Sequence, residues 1–125
     1  MNNITLAHVA LQSIDEQKAD IFFRDILGLK VYKERIMYAD RAEKIFGIKQ
    51  DIKVKSYSNE NTVFEIFITN IIPSVQYEHV CIFFENKDDL IKKCIHCGIK
   101  VNKANFGEKD YLFIRDFSGN LYEIK

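Results

Sequence analysis

What most constrains this chain is that it carries one pattern twice. His8-Val9-Ala10-Leu11 is echoed by His79-Val80-Cys81-Ile82, and Phe64-Glu65-Ile66 by Tyr122-Glu123-Ile124. Gly28-Leu29-Lys30-Val31 is echoed by Gly98-Ile99-Lys100-Val101. His8 lies 20 positions before Gly28, and His79 lies 19 before Gly98. His8 to Glu65 is 57 positions and His79 to Glu123 is 44; the difference of 13 falls on an extra lobe around residues 39–48. A repeat of this size means one supersecondary unit used twice. The two copies meet in the stretch from Val63 to Phe84, whose polar break holds Pro73, the only proline.

Read in order, each copy predicts β-α-β-β-β. In the first, residues 4–11 read as a strand. Ser13 and Glu16 have capping-box spacing, and Ala19, Phe22, Phe23 and Ile26 then form a buried helical stripe ended by Gly28. Strands follow over 29–37, 52–57 and 62–69, with a short helix over 39–48. Lys53 and Lys55 alternate with apolar residues and predict a solvated strand face. In the second copy, residues 77–84 read as a strand. Asn86 caps a helix with Leu90, Ile91, Cys94 and Ile95 as its stripe, ended by Gly98. Residues 101–106 read as a poor strand, 111–115 as a better one, 116–120 as a turn, and 121–124 as the closing strand.

At 125 residues the chain predicts one compact domain of two small halves, about 1–72 and about 73–125. With 47% hydrophobic residues it can build a core. Its 18 basic and 18 acidic residues cancel, which argues against a nucleic-acid binder that works by neutralising phosphates. No apolar run approaches the ~18 residues of a membrane span. The first residues lack the basic start and apolar run of a signal peptide. Three cysteines, an odd number, predict the reducing cytoplasm rather than a disulfide framework. Cys94, His96 and Cys97 resemble a metal motif, but without a second pair of ligands they are read as helix residues, with Cys94 acting as a small hydrophobe.

Strand side chains alternate between faces. The face holding Phe64, Ile66, Val80, Ile82, Tyr122 and Ile124 is apolar and suits packing under helices. The opposite face of each copy holds one histidine and one glutamate: His8 and Glu65, then His79 and Glu123. Charges placed in such apolar segments need compensation, since an unpaired buried charge costs several kcal/mol, on the order of the penalties in. Two imidazoles and two carboxylates suit one divalent cation, and Ni, Co, Zn and Mn all remain open. Gln12, Phe67 and Phe83 share this face and are expected to line a substrate cavity. Tyr111, Phe113 and Arg115 join them if Leu112 and Ile114 pack inward.

These residues resemble the vicinal-oxygen-chelate superfamily, which spans glyoxalase I, methylmalonyl-CoA epimerase, fosfomycin-resistance enzymes, extradiol dioxygenases and bleomycin-binding proteins. The likeness runs through His8-Val-Ala-Leu11, Phe22-Phe-Arg-Asp-Ile-Leu-Gly-Leu29 and Asp116-Phe-Ser-Gly-Asn-Leu-Tyr-Glu-Ile124, with Phe117 where the family turn has proline. It implies an α+β fold, with paired βαβββ modules forming a cupped mixed sheet and helices on the outer face. It also implies metal ligands at His8, Glu65, His79 and Glu123, closest to the glyoxalase I-like and epimerase-like members. Glutathione-dependent glyoxalases carry an arginine four residues after the first histidine and an asparagine four after the first glutamate. Here Gln12 and Thr69 stand there, so glutathione is not expected as co-substrate.

The expected function is a metal-dependent lyase, isomerase or epimerase acting by proton transfer on a small substrate with adjacent oxygens. Glu123 and Glu65 are the candidate bases, and which is which stays open. The alternatives are a fosfomycin-type resistance enzyme and a non-enzymatic small-molecule binder. A homodimer is expected, because each half of about 60 residues is small for a core of its own. In glyoxalase-like relatives two subunits complete each cup.

Overall fold

The computed structural model describes residue 3 and residues 5–125. The chain divides into two compact units that meet between Ile71 and Ile72.

The first unit contains β1 (Val9–Ser13), α1 (Glu16–Ala19), a π-helical segment (Asp20–Ile26), β2 (Lys30–Met37), α2 (Ala39–Phe46), β3 (Ile52–Ser58) and β4 (Val63–Ile68). Its sheet has the order β1-β4-β3-β2. The second unit contains β5 (Val80–Ile82), α3 (Lys87–His96), β6 (Val101–Phe106), β7 (Lys109–Arg115) and β8 (Leu121–Ile124). Its order, β5-β8-β7-β6, repeats the first. In each sheet the first strand runs parallel to the last, while the other neighbours are antiparallel. A parallel pair requires a long crossover, and the intervening helix and hairpins supply it. Two mixed sheets with helices make this the α+β architecture of βαβββ modules that the sequence predicts.

The helical stripe of the first unit is in place. Ala19, Phe22, Phe23 and Ile26 are all buried, together with Tyr57, Phe64 and Ile66. The Phe23 ring stacks on Tyr57 at 5.1 Å and tilts against Phe64 at 5.4 Å. Gly28 adopts φ +80°, the left-handed conformation that closes a helix most easily without a Cβ. The N-terminus of α1 differs from the capping box expected at Ser13. Ser13 still belongs to β1 and its hydroxyl bonds the Asp15 backbone, so Asp15 is the cap, accepting from the Lys18 N–H at 3.0 Å. Of the first strand expected over 4–11, Ile4 lies outside the described residues. The strand itself starts at Val9 and runs on to Ser13.

In the second unit Leu90 and Cys94 are fully buried and Ile91 is partly so, but Ile95 is 66% exposed. The helix therefore presents a narrower stripe than the sequence suggests. Asn86 caps it as expected, accepting from the Asp89 N–H at 3.1 Å. β5 is short, yet its ladder continues: the Phe84 N–H donates to Lys125 O and the Lys125 N–H to Ile82 O, each at 2.9 Å. β6 is a full strand despite its poor composition, because six residues pair with β7 across the Gly107 turn. Leu112, Ile114, Tyr122 and Ile124 form the buried face.

Lys55 corrects the reading of a solvated face, while Lys53 beside it keeps a side chain 40% exposed. They point to the helix side, where α1 lies over them. Lys55 is 6% exposed, its Nζ 2.8 Å from Asp20 Oδ1, 3.2 Å from Glu16 Oε2 and 3.5 Å from Glu34 Oε1. The Tyr57 hydroxyl donates to the same Asp20 oxygen at 2.7 Å. Burial alone would raise the Asp20 carboxyl, but hydrogen bonds from Lys55 and Tyr57 together hold it below the ordinary value. Among the described residues, no helix is long and apolar enough to cross a membrane.

Candidate functional site

The parallel strand pairs place the histidines and glutamates. In the first unit Ala10 of β1 pairs with Glu65 of β4, and His8 stands two residues before Ala10. In the second, Cys81 of β5 pairs with Glu123 of β8, and His79 stands two residues before Cys81. The same offset in both copies puts an imidazole and a carboxylate on one face of each sheet, opposite the buried Phe64 and Ile66 or Tyr122 and Ile124.

His8 Nδ1 lies 3.5 Å from Glu65 Oε2. An imidazole nitrogen and a carboxylate oxygen side by side are donor types that a shared divalent ion accepts. The other oxygen, Glu65 Oε1, faces Arg35 Nη2 at 3.5 Å. Arg35 is the residue that sequence reading missed. It pairs with Val54 on β3 and reaches along the sheet face to the carboxylate. Its signal was the two-residue alternation of β2, which puts Arg35 on the same face as Met37.

In the second unit His79 Nδ1 is 2.9 Å from Tyr77 O. A carbonyl only accepts, so that contact puts a proton on Nδ1 and leaves Nε2 as the ring nitrogen that could meet a metal ion. An imidazole tied back through its other nitrogen to a backbone carbonyl is how metal-ligating histidines are usually oriented. The His79 ring meets Phe113 edge-on at 6.4 Å, and Phe113 pairs with Glu123 across the sheet. Cys81 hydrogen-bonds Glu123; desolvation first, then that bond, push its thiol up, so it stays a protonated donor. The donor chemistry of each pair fits half of a divalent-ion site. Among the described residues no three His, Cys, Asp or Glu side chains come together, so each unit by itself offers an imidazole and a carboxylate.

The remaining predicted residues divide. Gln12 is half-buried on the His8 face, and its Nε2 donates to Thr69 Oγ1 at 3.3 Å. The two positions that depart from the glutathione pattern thus hold each other. Phe67 packs against the Met37, Ala42, Ile52 and Val54 cluster and meets Phe46 edge-on at 5.5 Å, so much of its ring serves the core. Phe83 is 88% exposed. Tyr111 meets the Phe106 ring at 6.0 Å. Arg115 Nη1 donates to Gly119 O at 2.8 Å, bracing the turn before β8. Asp116 anchors that turn, accepting from the Ser118 and Asn120 N–H groups, the Asn120 amide and the Tyr122 hydroxyl at 2.8–3.0 Å.

The fold is that of the vicinal-oxygen-chelate superfamily. The chain is similar to a glyoxalase family protein from Bacillus cereus: 15% identity over 99% of this chain and 94% of that one, with a TM-score of 0.76. Against a glyoxalase family protein from Enterococcus faecalis the identity is 22%, over 96% and 95% of the two chains, at TM-score 0.68. Against the genomically encoded fosfomycin resistance protein FosX of Listeria monocytogenes it is 14%, over 98% and 93%, at TM-score 0.74. That FosX has also been crystallised, as a variant, with Mn(II) and a dihydroxypropylphosphonic acid. No family model matches the chain, and no curated protein does.

Proposed function

We propose that this protein is a metal-dependent lyase, isomerase or epimerase that moves a proton on a small substrate with two adjacent oxygens. His8, Glu65, His79 and Glu123 would hold one divalent ion. The observation that carries this reading is the duplicated placement of an imidazole two residues ahead of the strand partner of a carboxylate, with His79 Nδ1 tied back to the Tyr77 carbonyl. When bound, the ion supplies positive charge where an oxyanion develops. The chain's own contribution is a carboxylate to take and return the proton, at Glu123 or Glu65. Glu123 accepts from Cys81 and has Phe113 as its cross-strand neighbour, whereas Glu65 is engaged by Arg35. Such a carboxylate acts as a general base only within hydrogen-bond reach of the proton it takes. Gln12 is committed to Thr69 and lacks the charge to clamp a glutathione carboxylate, so the co-substrate is not glutathione. The protein would work in the cytoplasm as a homodimer.

A second reading is an epoxide-opening resistance enzyme, favoured by the likeness to FosX and by that protein's crystallisation with Mn(II). Elemental analysis of protein grown in Ni, Co, Zn or Mn tests both. About one ion per chain, lost in His79→Ala, is expected. Equal, near-zero metal in wild type and variant would leave only a metal-free binding role.

A further inference from the structure

The second unit contains a cleft of about 630 Å³ at one end of its sheet. Lys100, Asn102, Phe113, Arg115, Phe117 and Leu121 are among the residues that line it. The ladder fixes how it relates to the histidine–glutamate face. Asn102 pairs with Phe113 and Phe113 with Glu123, so these three residues form one row across β6, β7 and β8. Arg115 pairs with Leu121, two residues from Phe113 and Glu123 respectively, and so forms the adjacent row on the same face. Phe113 is therefore both a wall of the cleft and the residue whose ring meets His79.

The charges in this cleft are lopsided in a chain whose total is zero. Lys100 and Arg115 contribute two cations. The one acid in the lining, Asp116, is buried, and its two oxygens already accept four hydrogen bonds. One Arg115 nitrogen is spent on Gly119 O; the guanidinium has further N–H donors, and the side chain is exposed. Asn102 adds an amide, and Phe113, Phe117 and Leu121 form an apolar wall. Two cations and an amide at the end of an apolar trough suit a compact oxyanion joined to a short carbon skeleton.

We propose that this cleft binds the anionic end of the substrate, a carboxylate or phosphoryl group, through Lys100, Arg115 and Asn102. The skeleton then runs along Phe113 toward His79 and Glu123. That the anion belongs to the substrate rests on the function proposed above; that the cleft takes an oxyanion does not.

Chelator-treated full-length protein, free of metal, separates the two. Inorganic phosphate and acetate are titrated into it while backbone amides and the His79 ring are followed by NMR. Saturable shifts are expected at residues 100, 102 and 115, with a smaller shift of the His79 ring. Lys100→Gln and Asn102→Ala should each weaken binding about tenfold, while Lys33→Gln in the other unit should leave it unchanged. Tighter phosphate binding would assign a phosphoryl group, and equal or tighter acetate binding a carboxylate. Shifts that never saturate, or that are the same in Lys100→Gln and Lys33→Gln, would overturn the proposal whatever the metal content. Phosphate binding by a protein that takes up no metal would keep the anion site and remove the metal-dependent function.

Discussion

Replacing Lys55 by methionine should cost the first unit much of its stability. The ammonium is 6% exposed and answers Asp20 at 2.8 Å and Glu16 at 3.2 Å. Methionine preserves most of the stem's packing but takes the ammonium from the Asp20 carboxylate, which keeps the Tyr57 hydroxyl at 2.7 Å and the more distant Arg24 guanidinium at 4.0 Å. Removing one partner of a buried pair costs about 3–5 kcal/mol. Asp20 and Glu16 keep some exposure, so the lower end applies, about 3 kcal/mol. For a chain of this size that is a fall in Tm of roughly 10 °C. The pH dependence has a definite sign. Asp20 and Glu16 titrate below their ordinary values when folded, Asp20 because Lys55 and Tyr57 together outweigh its burial, Glu16 chiefly through its bond to Lys53. Their contribution is complete above the unfolded carboxylate pKa and fades as pH falls through the lower folded one. Lys55 titrates above its ordinary value, because its bonds to Asp20 and Glu16 outweigh desolvation, so its contribution is lost only as pH rises past 10.5. Urea unfolding at pH 7 and again below pH 4 should show the wild-type advantage over Lys55→Met shrink in acid. Asp20→Asn combined with Lys55→Met should recover part of the loss. A cost under about 1 kcal/mol, the range of exposed ion pairs, would refute the buried clamp.

Three further outcomes are expected. Arg35→Gln should tighten Mn(II) binding several-fold by calorimetry, because a guanidinium 3.5 Å from Glu65 competes for the carboxylate; unchanged or weaker binding would remove Arg35 as a competitor. Glu65→Gln should lower metal content more than Glu123→Gln, while Glu123→Gln should be the variant that keeps metal yet loses proton exchange at carbon; elemental analysis with deuterium wash-in separates them. Light scattering at micromolar concentration should give twice the 14.7 kDa chain mass, and a monomer would rule out a site completed by a second chain.

Much of the fold was legible because the repeat is backbone-deep. The glycine-ended helices, the β-α-β-β-β succession and the histidine and glutamate on one strand face all follow from patterns that recur along the chain. The failures share a cause, the tertiary partner. Lys53 and Lys55 look like a wet face until Glu16 and Asp20, four apart on the helix, are placed above them; that acidic pair was the available signal. Ser13 has capping-box spacing, but its strand continues through it, so the cap moves to Asp15. β6 has little intrinsic strand character and forms because β7 pairs with it. Arg35 was passed over because a lone arginine on a strand predicts nothing until the neighbouring strands fix its row.

The duplicated frame also has a stereochemical consequence. The two imidazole–carboxylate pairs occupy matching ladder positions in two separate sheets but keep different company: Glu65 answers an arginine, whereas Glu123 accepts from a thiol and has Phe113 as its cross-strand neighbour. A group that approaches the first pair meets a cation, and one that approaches the second meets a soft, apolar surface. A molecule with two nearly equivalent oxygens is therefore met differently by each pair, and the repetition of the backbone does not make the two pairs interchangeable.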